Sequence, residues 1–234
     1  MWMPAIDTPR AARLIAIVGA ESTGKSTLAA ALARRLAEAT GWRCAWVPEA
    51  LREWCEREGR TPRADEQAGI AEDQARRIEA AAANHELVVC DTTPLMTAVY
   101  HHQVFGQDEL DAPALAWQRH CDLSLLTALD LPWVADGHMR DGEHVREPVD
   151  ARLRSLLIGA GLPFVVIGGQ GVARLESALD AVAPLLRRSP SPRGGLFSRL
   201  AEREAAQPEG RWACDTCDVP DCEHASLRQR RAGA

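Results

Sequence analysis

Short apolar runs alternate with stretches of helical period along the chain, the order expected of strands and helices building a parallel sheet. Leu14-Ile15-Ala16-Ile17-Val18 predicts a first buried strand, and a helix follows from Lys25 to about Ala39 with Leu28, Leu32 and Leu36 on one face. Cys44-Ala45-Trp46-Val47 predicts a second strand that stops at Pro48-Glu49. Residues 50–58 and 66–83 read as helices, the second rich in Ala, Arg and Glu and without a strong apolar stripe. Leu87-Val88-Val89-Cys90 predicts a third strand ending at Asp91. Helices around 95–105 and 112–120 precede a fourth strand over 123–129. Residues 131–148 are polar, with Gly137 and Gly142, and read as a loop. A helix near 149–160, a strand at Phe164-Val165-Val166-Ile167 and a helix over about 172–187 complete the pattern. The fold expected from it is an α/β three-layer sandwich around a mainly parallel five-stranded sheet.

The pattern changes after Arg188. Ser189-Pro190-Ser191-Pro192-Arg193-Gly194-Gly195 has the composition of a linker, and residues 196–206 fit a short amphipathic helix. The expected division is a domain over 1–187, a linker over 188–210 and a small Cys/His tail over 211–234. The length, 234 residues with 46% hydrophobic, suits one α/β domain of about 190 residues and an appendage. A formal net charge of −6 argues against a nucleic acid or an anionic membrane as partner. No apolar run approaches the ~18 residues needed to cross a bilayer. The first residues, Met1-Trp2-Met3-Pro4, lack the features of a signal peptide, so a cytoplasmic location is expected. Cys44, Cys55, Cys90 and Cys121 are scattered and read as buried free thiols.

Charge composition then points to the chemistry. Of the 27 basic residues, 26 are Arg, and the single Lys is Lys25. It lies in Gly19-Ala20-Glu21-Ser22-Thr23-Gly24-Lys25-Ser26-Thr27, which fits G-x-x-x-x-G-K-[ST] between a predicted strand and a predicted helix. Small residues let successive backbone N–H groups converge on a phosphate, and the helix adds the positive end of its dipole. In this reading residues 19–27 bind the phosphates of ATP, Lys25 bridges them and Ser26 ligates Mg²⁺. A guanidinium cannot replace the compact ammonium in such a cradle.

A P-loop enzyme also needs an acid at the end of a neighbouring buried strand to hold the Mg²⁺ shell, and Asp91 supplies it. A helix N-cap is the alternative role for Asp91. Glu49 ends the second strand, where a carboxylate can accept a proton from a hydroxyl attacking the γ-phosphate. Arg52 and Trp54 follow closely and are the candidate anion contact and ring platform for the acceptor. In Asp136-Gly137-His138-Met139-Arg140-Asp141-Gly142-Glu143-His144-Val145-Arg146 the glycines permit hinging. Arg140, with Arg146 as second candidate, would stabilise the transferring charge as part of a lid.

These residues resemble a known family. Gly19 to Thr27, Pro48-Glu49-Ala50-Leu51-Arg52-Glu53, Asp73-Gln74, Asp91-Thr92-Thr93 and Asp136 to Arg140 are similar to the kinase domain of NadR-type proteins. Those are AAA-type P-loop ATPases best known for phosphorylating ribosylnicotinamide, and the resemblance covers about residues 12–187. It implies a P-loop NTPase fold, a nucleoside site lined by Glu49 and Arg52, Asp91 serving Mg²⁺ and the hydroxyl, and Arg140 in the lid. The spacing from Glu49 to Trp54 is also similar to deoxynucleoside kinases, in which the Glu is the base. The adenylyltransferase domain that precedes the kinase in bifunctional members is missing from this sequence, so kinase activity alone is expected.

The tail is not part of that resemblance. Cys214, Cys217, Cys222 and His224 form a candidate four-ligand set for Zn²⁺, although Cys222 and His224 are closely spaced and neighbouring carboxylates favour the protonated thiol. A flexible tail is the alternative.

The function expected is an ATP- and Mg²⁺-dependent kinase for a hydroxyl of a nucleoside-like small molecule, ribosylnicotinamide being the best match. An ATP-binding regulatory module and a deoxynucleoside or nucleotide kinase stay open beside it. Lys25→Arg is expected to abolish turnover and leave the fold intact, checked by steady-state assay beside circular dichroism of the purified variant.

Overall fold

The computed structural model describes residues 12–134 and 142–187. Their elements run β1 (Arg13–Val18), α1 (Lys25–Thr40), β2 (Cys44–Val47), α2 (Ala50–Glu58), α3 (Ala64–Ala82), β3 (Leu87–Asp91), α4 (Pro94–Phe105) and α5 (Asp111–Gln118). They continue with β4 (Leu123–Thr127), a 3-10 turn (Glu143–Val145), α6 (Arg146–Gly159), β5 (Phe164–Ile167) and α7 (Gly171–Arg187). The five strands form one sheet in the order β2-β3-β1-β4-β5, and every pairing is parallel. This is the α/β sandwich around a parallel five-stranded sheet that the apolar runs predict. Residues 1–11, the expected linker 188–210 and the expected tail 211–234 lie outside the described residues.

Strand β1 is central and buried on both faces, so its neighbours enforce alternation. Leu14, Ala16 and Val18 point into clusters completed by α3, α4, α5 and α6, with Ile78, Trp117, Leu95, Val149 and Leu153 among the fully buried side chains. Ile15 and Ile17 therefore point to the opposite face, where α1 packs on β2 and β3 and against α7. Leu28, Leu32 and Leu36 of α1 are buried there, as their spacing predicts.

Three elements differ from the sequence expectation. Helix α3 has a buried stripe after all, made of Gln67, Ile70, Ala71, Gln74, Ala75 and Ile78. Alanines leave so little bulk that the helix packs closely on α4, and a stripe built from Ala and Gln has a weak hydropathy signal. Strand β4 stops at Thr127, two residues early: its ladder with β1 ends at Leu126 and its ladder with β5 at Thr127, paired with Ile167. Helix α6 starts at Arg146 rather than near 149, with the 3-10 turn before it. Among the described residues Cys55 and Cys90 are buried free thiols, and Cys44 and Cys121 are half-buried ones. No described helix is long and apolar enough to cross a membrane.

The turn out of β1 has no slack. Gly19 has φ +148°, and a Cβ built on it would lie 2.0 Å from Thr127 Oγ1 and 3.2 Å from the Thr127 carbonyl oxygen. Gly19→Ala must therefore push the turn off β4. It is expected to lower unfolding stability by roughly 2–3 kcal/mol, checked by urea denaturation.

Candidate active site

In the sheet, β1 has β3 on one side and β4 on the other, so the crevice at its carboxyl end is the switch point where ligands of parallel sheets bind. The glycine loop fills that end. Ser22 (φ +57°) and Gly24 (φ +74°) take left-handed conformations, and Gly24 caps the start of α1. The first turn of α1 thus aims its unsatisfied N–H groups into the crevice. Thr23 Oγ1 donates to the Ala20 carbonyl at 2.8 Å and lies 2.7 Å from Thr127 Oγ1. Lys25 Nζ donates to the Ala20 carbonyl at 2.8 Å, folded back over the loop.

A cleft of about 450 Å³ opens in front of the loop. One wall is Ser22 to Thr27; the other is Trp46, Pro48, Glu49, Arg52 and Glu53; Asp91 lies between them. Residues far apart in sequence, 22–27, 46–53 and 91, meet because β3 lies beside β1, and β2 beside β3, in register. Ile17 of β1 pairs with Asp91, and Val47 of β2 pairs with Cys90.

Asp91 is 2% exposed. Burial pushes its carboxyl above the usual carboxylate range, and a hydrogen bond with Ser26 and the charges of Lys25 and Arg52 pull it part of the way back. Its Oδ1 is buried without a hydrogen-bond partner. The turn that follows is strained, with Thr92 at φ +70°. It is held by the Thr92 N–H on the Ile17 carbonyl (3.0 Å) and by a buried chain in which Thr93 Oγ1 donates to Gln118 Oε1 (2.7 Å) and Gln118 Nε2 to Ser124 Oγ (2.9 Å).

An orphaned buried carboxylate oxygen beside a hydroxyl is a set of hard oxygen donors that suits Mg²⁺. Among the described residues no group of three or more His, Cys, Asp or Glu side chains is arranged to hold a metal. The fit is therefore to an ion that takes its remaining ligands from phosphate and water.

Glu49 sits at the N-cap position of α2, and its Oε2 is 3.8 Å from Arg52 Nε. The turn carrying it is clamped by Gln74 of α3. Gln74 Oε1 accepts the Ala50 N–H at 2.6 Å, and its Nε2 donates to the Pro48 carbonyl at 3.3 Å. Arg77 of α3 adds a second tie, to Glu53 (2.5 Å) and Asp73 (2.8 Å). The clamp went unread as such in the sequence, where Gln74 shares a helix face with Gln67 and with Ala and Ile residues.

Four expected site residues are placed differently. Trp54 is about 200° around α2 from Arg52, so the two cannot share the cleft. Its ring lies under the Arg60 guanidinium instead, 4.8 Å from centroid to carbon. Trp46, 43% exposed on edge strand β2, is the aromatic side chain in the cleft wall. Arg146 is 5% exposed and donates to the Leu131 carbonyl at 2.8 Å; the early start of α6 turns it into the body of the protein, not over a phosphate. Glu21 is also buried and does not line the cleft: its Oε1 accepts N–H groups from Trp133 and Gly142. Gly19 serves the close turn against Thr127, while Ser22, Thr23, Gly24, Lys25, Ser26 and Thr27 line the cleft. Arg140, and the candidate zinc ligands Cys214, Cys217, Cys222 and His224, lie outside the described residues.

Comparison with known proteins agrees with this architecture. The family model described as an AAA domain matches residues 14–174. No curated protein matches the chain. Among solved structures, the chain is similar to NadR protein in complex with NR, at 22% identity and a TM-score of 0.59 over 74% of this chain and 50% of that one. It is similar also to NadR protein in complex with NAD and AMP-PNP, at 21% identity and a TM-score of 0.57 over 74% of this chain and 49% of that one. The chain spans about half the length of those NadR chains, and at this identity the likeness is one of fold. The glycine loop and all five strands, save Arg13 at the start of β1, fall within the matched span, and the chain belongs to the AAA domain family.

Proposed function

We propose that residues 1–187 form an ATP- and Mg²⁺-dependent kinase acting on a hydroxyl of a nucleoside-like small molecule, ribosylnicotinamide being the acceptor that fits best, and that it works in the cytoplasm. The observation that carries the proposal is the single cleft in which Glu49 faces the phosphate loop across Asp91. A module that only binds ATP has no use for a second wall holding a carboxylate and a ring. Support for the acceptor comes from the similar fold of the NadR structures, one with NR and one with NAD and AMP-PNP.

The loop N–H groups and the start of α1 bind the β- and γ-phosphates, and Lys25 swings from the Ala20 carbonyl to bridge them. Ser26 and Asp91 hold Mg²⁺, which when bound neutralises phosphate charge and orients the γ-phosphoryl group. Glu49, at the clamped turn, orients the acceptor hydroxyl and takes its proton. The hydroxyl oxygen then forms its bond to the γ-phosphorus as the bond to the bridging oxygen of ADP breaks. Arg52 sits beside Glu49 as the anion contact, and Trp46 offers its face to the acceptor's ring. Arg140 keeps its proposed role toward the transferring charge.

Titration calorimetry of the protein with a nucleoside panel, run beside a coupled assay for ADP, tests the proposal. Saturable ribosylnicotinamide binding and ATP-dependent product are expected, with kcat reduced by roughly a hundredfold or more in Glu49→Gln. ATP binding without any acceptor would sink it, and preference for a deoxynucleoside would reassign the substrate.

Asp91 gives a second test. Since burial disfavours its charged form, the fold is relatively more stable when this carboxyl is neutral, and its contribution declines as pH rises through the raised value. Asp91→Asn is therefore expected to lose turnover, yet to melt no lower than wild type at neutral pH without metal, as measured by differential scanning fluorimetry.

A further inference from the structure

We propose that Glu21 is the positioning residue of the phosphate loop, acting through Trp133 and Gly142 and not through the nucleotide. The inference rests on the nucleotide-binding reading of that loop. A loop whose backbone must close on phosphate has use for small side chains, and Ala20, Ser22 and Thr23 are small. Glu21 is long and negative beside a site for anions, where a carboxylate aimed inward would repel its ligand.

The structure turns it outward and buries it, at 8% exposed. A buried carboxylate must be met by donors. Its Oε1 accepts two: the indole N–H of Trp133 at 3.1 Å and the backbone N–H of Gly142 at 3.0 Å.

The neighbouring loop residues are held from the same side. Ser22 Oγ accepts the Val134 N–H at 2.8 Å, which steadies a non-glycine residue at φ +57°. Leu131 lies over Gly24, its Cδ1 3.1 Å from where a Cβ would stand, and its carbonyl accepts from Arg146 Nη2 at 2.8 Å. Glu21 thus meets Trp133 and Gly142, Ser22 meets Val134, and Gly24 meets Leu131, partners that do not themselves line the cleft. Such bracing points the loop N–H groups before the phosphates arrive, and preorganised donors bind and stabilise anions better than donors that must first be ordered.

The test is calorimetric titration of the purified chain with AMP-PNP and Mg²⁺. Glu21→Ala is expected to weaken binding roughly ten- to a hundredfold, the effect of losing hydrogen bonds to a charged group. Trp133→Phe, which keeps the ring but not the N–H donor, is expected to weaken it several-fold. In turnover the loss should appear in the KM for ATP and leave the KM for the acceptor unchanged, a split that general loosening of the fold does not produce. The double variant should bind no more weakly than Glu21→Ala alone, because the donor has nothing to serve once the acceptor is gone. Wild-type affinity in Glu21→Ala, or a Trp133→Phe loss that persists in the Glu21→Ala background, would overturn the proposal. If Glu21→Ala does not fold, Trp133→Phe decides alone: loss supports, unchanged affinity overturns. Wild-type protein that binds no AMP-PNP would refute the nucleotide reading itself, and the inference with it.

Discussion

The chain leaves β1 so close to the end of β4 that the Thr127 hydroxyl stands where a Cβ of residue 19 would be. Everything in the cleft is referenced to that contact. It sets how the loop turns and brings the Thr23 and Thr127 hydroxyls together. It also sets the origin of α1, so that the helix starts with Lys25, Ser26 and Thr27 facing the crevice. Since β1 is the central strand, the same end of the sheet also delivers Asp91, which pairs with Ile17 one strand over. The glycine loop and Asp91 are thus brought together by one close turn and one parallel register.

Polar groups are concentrated here at some cost to the fold. Asp91 is nearly inaccessible, its carboxyl is driven toward the neutral form, and one oxygen has no protein donor. Thr92 beside it is backbone-strained. Such features persist only where surrounding structure over-determines them, and the Thr93–Gln118–Ser124 chain does so. On the acceptor side the same logic applies to Gln74, whose amide satisfies both flanks of the turn carrying Glu49. The turns carrying Asp91 and Glu49 are thus held by neutral amides and hydroxyls, with the Arg77–Glu53 ion pair as a charged tie beside the second.

How much was legible in the sequence depended on the range of the interaction. The strands were visible as apolar runs because a strand in the middle of a parallel sheet is buried on both faces. The phosphate loop was visible because its requirements, glycine at the turns and a Lys at the helix start, are met within nine residues. Asp91 and Glu49 were singled out by their positions at strand ends, and both line the cleft. The ring platform was misplaced at Trp54, since proximity in sequence was taken for proximity in the cleft, and a helix carries residues 52 and 54 to opposite sides. Arg146 was read as a second lid arginine because the helix start that buries it falls inside a polar stretch.

The sequence by itself therefore determined the fold class, the phosphate loop and its single lysine, and the two strand-end acids, because each depends on local periodicity or on contiguous residues. Only the tertiary structure decided which aromatic ring enters the cleft, that Gln74 holds the Glu49 turn, and that Glu21 and Arg146 face the body of the protein and not the ligand. Those outcomes depend on residues 15 to more than 100 positions apart being brought into contact. Packing of the sheet and its helices sets such distances, and no local pattern encodes them.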